Sequence, residues 1–109
     1  MANRRRGEIE AVIDGRRHTL CLTLGGLAEL ESAFAVDNLA SLGERFASGR
    51  LSAEDLVRIL DIGLRGGGQA VTDAEIRVWP GGCLPEIAQA VAALLAETFG
   101  GAGPNPPEP

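Results

Sequence analysis

In the stretch "IEAVIDGRRHTLCL", residues 9 to 22, apolar and polar residues alternate on both sides of Asp14-Gly15. Two such runs joined by Asp-Gly are the strongest short-range signal for a β-hairpin. A two-residue loop whose twist suits its strands needs positive φ at both positions, which Gly adopts freely and Asp tolerates. The alternation sets Ile9, Ala11 and Ile13 on one face, with Leu20, Leu22 and Leu24 able to share it across the pair, and leaves Glu8, Glu10, Arg17 and Thr19 on a polar face. Two strands alone are marginal in water, so this hairpin requires an apolar cover.

The remaining sequence supplies helices for that purpose. From Thr23, "LGGLAELESAF" spaces Leu27, Leu30 and Phe34 for one helical face and turns Glu29 and Glu31 outward. In "DNLASLGERFASG", Asp37 or Asn38 can cap, Leu39, Leu42 and Phe46 form the stripe, and Gly49 ends the helix. Next, Ser52 and Asp55 are placed as a capping box for a helix that buries Leu56, Ile59, Leu60 and Leu64 and exposes Arg58 and Arg65. Thr72 and Glu75 make a second box before the short "DAEIRVW". The last helix runs from about Leu84 to Phe99, with Pro85 in its first turn and a stripe of Ile87, Val91, Leu94 and Leu95, extended by alanines that permit close helix approach. The expected fold class is α+β: an N-terminal hairpin packed on a bundle of four to five short helices. Residues 7–99 form the single domain, preceded by a flexible basic segment, 1–6, and followed by a disordered Gly/Pro-rich tail, 100–109.

The run Gly66-Gly67-Gly68 after Arg65 invites comparison with phosphate-binding loops. Such loops lead from a strand into a helix N-terminus, where free N–H groups meet the anion. Here the glycines follow a helix C-terminus, whose orphan carbonyls and negative dipole end repel phosphate. They are expected to form a cap and a flexible joint, and no nucleotide cofactor is assigned.

Other chemistry is equally sparse. With 109 residues, 45% hydrophobic, the chain can form one core without metals or disulfides. A net charge of −5 argues against nucleic acid as the main partner. The two cysteines, Cys21 and Cys83, have neither metal-site nor disulfide-scaffold spacing and read as reduced thiols. No apolar run is long enough to span a membrane and no signal peptide precedes the domain, which places the protein in a cytoplasm. His18, the single histidine, reads as a partly exposed strand residue, with Cys21 at an odd separation that does not build a dyad within one strand. No catalytic, cofactor or metal residues are assigned. Trp79, the single tryptophan, reads as a core plug or as a partner anchor. The short helix carrying Ile76 and Val78 ends at Trp79 between "GGG" and "PGG", so it is expected to be loosely tethered. With Ile87 and Val91 of the last helix, these residues form the expected partner-binding site.

The order of the motifs adds to this. "RGEIEAVIDGRRHTLCLTLGGLAELESAF", then "LASLGERFASGRLSAEDLVRILDIGLRGGG", then "VTDAEI" resembles a family of small tail proteins of gene transfer agents, phage-like particles of alphaproteobacteria. Members resemble phage tail assembly chaperones and have also been labelled tail tube proteins. The resemblance spans about residues 7 to 99. It implies a non-enzymatic tail assembly factor, a chaperone for virion assembly acting through protein–protein interaction, with the tape-measure protein and tail tube subunits as partners. The alternative is a structural subunit of the tail tube or its terminus.

Overall fold

A computed structural model describes residues 7–99 of the chain. The expected flexible N-terminus, 1–6, and disordered tail, 100–109, lie outside the described residues. The elements run β1 (Ile9–Ile13), β2 (Arg16–Leu20), α1 (Leu24–Ala33), α2 (Leu39–Ala47), α3 (Ala53–Gly66), α4 (Asp73–Arg77), a 3-10 turn (Gly81–Cys83) and α5 (Leu84–Thr98). This is the expected α+β arrangement, a hairpin followed by five helices. Strands β1 and β2 pair antiparallel with Ile13 opposite Arg16, and the two loop residues have φ of 53° at Asp14 and 78° at Gly15. Both positive angles belong to the primed turn that the Asp-Gly pair was expected to make.

The caps follow local chemistry. The Thr23 hydroxyl accepts from the Gly26 N–H, and Asn38, rather than Asp37, accepts from Ser41. Ser52 with Asp55, and Thr72 with Glu75, form complete capping boxes. At the end of α1, Val36 N–H donates to Glu31 O and Ala35 N–H to Ser32 O, with Ala35 at φ 54°. A left-handed position closing a helix in this way favours glycine. Ala35→Gly is therefore expected to raise stability by about 0.5–1 kcal/mol, read as an increased urea midpoint at unchanged slope. A lowered midpoint would contradict the strain assigned to Ala35.

Helix α3 is the hub. β2, α1, α4 and α5 all pack on it, while β1 packs on α5 and α2 on α1. Leu20, Leu30, Leu42, Ile59, Leu60, Leu64 and Leu94 are fully buried in one continuous core. Two expectations about that core change. Leu24 is 84% exposed, because Thr23 caps α1 and so ends the strand alternation before residue 24. Leu39 is also exposed, since as the first residue of α2 it precedes the turn that reaches the core.

The glycine run is a close packing contact as well as a cap. Gly68, at φ 84°, follows the end of α3, where Gln69 N–H donates to Leu64 O and Gly68 N–H to Arg65 O. Immediately before it, the end of β2 lies on α3 backbone to backbone, with Cys21 N–H donating to Gly63 O at 2.9 Å. A side chain at Gly67 would meet the Thr19 carbonyl oxygen at 2.0 Å, and one at Gly66 the Cys21 carbonyl oxygen at 2.0 Å. The expected flexible joint is thus filled by neighbouring main chain at two of its three residues.

Candidate functional site

Two apolar grooves open on the helical side of the domain, separated by the start of α3. The first, of about 310 Å³, is bounded by Ala53, Glu54 and Val57 of α3, Ile76 and Arg77 of α4, Trp79, and Leu84 and Ile87 of α5. The second, of about 450 Å³, runs between α2 and α5. Phe46, Leu56, Val91, Leu95 and Phe99 form its apolar lining, and small residues (Gly43 and Ala47 opposite Ala88, Ala92 and Ala96) widen it.

Of the five residues expected to bind a partner, Ile76, Trp79 and Ile87 meet at the first groove. Ile76 and Ile87 are buried in its floor, and Trp79 is half-buried at its wall. Val78 is 81% exposed just outside the groove, with Leu84 40% exposed on its lining. Val91 belongs to the second groove, one turn further along α5, where α2 replaces α4 as the neighbour. That second groove was not anticipated. Its signal was the alanine spacing at 88, 92 and 96, read only as permission for helix contact.

Trp79 is positioned from behind by His18. The histidine is 8% exposed, and its ring stacks on the Trp79 indole with centroids 5.5 Å apart. It therefore does not lie partly exposed, as the sequence suggested. Counting back in twos from buried Leu20 places residue 18 on the inner face, opposite Ala11. Its Nδ1 has no hydrogen-bond partner among the described residues.

Electrostatics hold α4 in place. Arg77 donates two hydrogen bonds to Glu54 on α3, at 2.8 and 2.7 Å, and also pairs with Asp73. The bonds to Glu54, then those to Asp73, raise the Arg77 pKa, while the hydrogen bond from Arg77, reinforced by Arg58, lowers that of Glu54. A second clamp joins α3 to α1, where Arg65 donates to both carboxylate oxygens of Glu29 at 3.2 Å. These ion pairs are exposed, so each adds little on its own. The α4 element is nevertheless tied to α3 by geometry that the expectation of a loosely tethered helix did not include.

Because the carboxyl of Glu54 is depressed in the fold, its contribution is present above the ordinary carboxylate range and is lost as pH falls through the lowered value. Trp79 emission is accordingly expected to change as pH falls below the ordinary carboxylate range, before global unfolding. In Glu54→Gln that early step should vanish, and an identical profile in both proteins would remove Glu54 as its source.

Among the described residues, no group of three or more His, Cys, Asp or Glu side chains could hold a metal, and no helix is long and apolar enough to cross a membrane. Cys21 and Cys83 are both buried and are not joined in a disulfide. Burial, with Asp14 and Glu86 nearby, pushes the Cys83 thiol pKa up, away from the reactive thiolate.

Comparison with known proteins places this architecture. The profile of the family described as phage tail tube protein, GTA-gp10, matches residues 6–101. No curated protein and no solved structure matches the chain. The family match covers the hairpin and every helix, and with it the whole of both grooves. The chain belongs to the GTA-gp10 phage tail tube protein family, a family of phage and gene transfer agent tails.

Proposed function

We propose that within this family the chain acts as a tail assembly chaperone, a non-enzymatic factor that holds a segment of the tape-measure protein until tail tube subunits close around it. The observation that carries the reading is the Trp79 groove, where an aromatic wall and exposed Val78 and Leu84 stand beside buried Ile76 and Ile87. Such a surface fits the apolar face of an amphipathic helix. Glu54 and Arg77 on its lining are paired with each other, and on the flanking helices α4 and α5 the acids Asp73, Glu75 and Glu86 exceed the bases, which favours a partner helix with basic flanks. Action in the host cytoplasm follows from the same reading. A tube subunit, the second reading, needs strands to extend a sheet from ring to ring. The described residues contain a single hairpin, which favours the chaperone.

Titration with tape-measure peptides is expected to shift the emission of Trp79. Trp79→Ala should weaken binding by about 2 kcal/mol, as for an aromatic anchor. Because Trp79 also packs on His18, Val78→Asp and Leu84→Asp provide variants at exposed positions that keep the fold and should also lose binding. Binding that survives all three changes would remove the groove from the mechanism. Mass spectrometry of purified particles separates the two readings: a chaperone is absent or scarce, and a tube subunit is present in stoichiometric amount.

A further inference from the structure

We infer that residues 104–109 of this chain, "PNPPEP", turn back along α5 as an extended strap and occupy the second groove, the one between α2 and α5. The strap uses neither Trp79 nor the groove beside it, so its test is independent of the chaperone reading. Shape narrows the choice of occupant first. Along α5 the slot extends from Ala88 to Phe99, about 16 Å at the rise of a helix. A partner helix, about 10–12 Å across with its side chains, is too thick to sink into about 450 Å³ spread over that length. An extended chain fits.

A second copy of the domain fits no better. In a two-fold pair it would present the same face, and that face is itself a hollow, bordered by Gly43 and Ala47 on α2 and by Ala88, Ala92 and Ala96 on α5. Two hollows set against each other leave the space between them unfilled. The chain's own continuation meets the slot directly, because Phe99, which lines one end of it, is followed by Gly100. Residues 100–109 lie outside the described residues, and three of the first four of them, Gly100, Gly101 and Gly103, are glycines. Glycine accepts the positive φ that a reversal after a helix requires. The six residues that follow, 104–109, span about 19 Å as a polyproline helix, which matches the slot.

Chemistry agrees with length. No residue lining the slot carries a charge, and the strap has only Glu108. Where α5 ends, Phe46 and Phe99 lie with ring centroids 6.1 Å apart and inclined at 49°, an aromatic cleft of the kind on which proline rings pack. After a reversal over residues 100–103, Pro104 reaches that cleft first, and Pro106 and Pro107 follow along the alanines of α5. A proline-rich segment has little conformational freedom to lose on docking, and a short tether holds it at an effective concentration on the order of millimolar. Weak contacts therefore suffice to keep the slot covered. The strap leaves the Trp79 groove open to a partner, and a competitor for the second groove has to exceed that effective concentration.

The test uses the full chain, labelled with carbon-13 and nitrogen-15. Nuclear Overhauser contacts are expected between the Phe46 and Phe99 rings and the rings of Pro104, Pro106 and Pro107, with relative intensities unchanged on dilution. Ala92→Leu fills the slot from an exposed position, so the domain should stay folded and those contacts should be lost. In the full chain carrying Pro104→Ser, Pro106→Ser and Pro107→Ser, the methyl signals of Ala88, Ala92 and Ala96 should move. The inference is overturned if the parent chain lacks these contacts, if they persist in Ala92→Leu, or if the serine substitutions leave the three methyl signals in place. Contacts that fade on dilution would also overturn it, in favour of a second copy.

Discussion

Gly67→Ala is expected to cost the fold about 3 kcal/mol, the upper end of what overpacking a filled site produces. The added Cβ would lie 2.0 Å from the Thr19 carbonyl oxygen and 2.6 Å from its carbon. Both atoms are main chain, so no rotamer change relieves the clash. The end of β2 must instead rise from α3 and weaken the bond from Cys21 to Gly63. Gly66→Ala, whose Cβ would meet the Cys21 carbonyl oxygen at 2.0 Å, is expected to match it. Gly43, inside α2 with nothing within 4 Å of a new Cβ, serves as the contrast. There, alanine should stabilise by about 0.5–1 kcal/mol through helix propensity. Urea unfolding of the three variants measures all of this, and a Gly67→Ala protein as stable as its parent would mean that the hairpin does not rest on α3.

Leu94→Ala is expected to cost about 3 kcal/mol, within the range for emptying a fully buried leucine site. Leu94 is wholly buried on α5, and its Cδ2 would lie 2.7 Å from a Cβ added at Gly63 of α3. The leucine occupies the notch that the glycine leaves, which joins the two longest helices of the domain. Gly63→Ala alone should destabilise by about 1–2 kcal/mol, because the new Cβ would also lie 3.4 Å from Leu20 Cδ2, which restricts how the site can adjust. Combined, the two changes should cost less than their sum, since the new methyl partly fills the space vacated by the leucine. Strict additivity in a double-mutant cycle would show that the two sites do not share this volume.

Features governed by residues close in sequence were legible before the structure. The Asp14-Gly15 turn and the Ser52–Asp55 and Thr72–Glu75 boxes each depend on two to four neighbouring positions, so their chemistry is complete within a short window. The orientation of His18 was also available from its even separation from Leu20, but reading it as a partly exposed strand residue passed over it. The backbone contact at Gly66 and Gly67 could not be read in this way. It depends on where β2 crosses α3, and a glycine needed for close approach looks the same in sequence as one needed for a cap. At the candidate site, helical periodicity grouped Ile76 and Ile87 with Trp79, and all three line the first groove. It could not separate Val91 from them, because Ile87 and Val91 are four residues apart on one face of α5 and only the neighbouring helices distinguish the two grooves.

The hub position of α3 also governs the order in which the native state can form. Its contacts with β2 and with α5 close long stretches of chain, an entropic cost that must be met before their burial is gained. Helix α2, packed chiefly on α1, closes only a short one. The local contact of α2 with α1 is therefore expected to form ahead of the long-range packing of α3 on β2 and α5. In the native protein α2, packed chiefly on α1, is expected to open more readily than α3 or α5, and each such opening would lay bare the wall of the larger groove while the hairpin, α3 and α5 stay assembled.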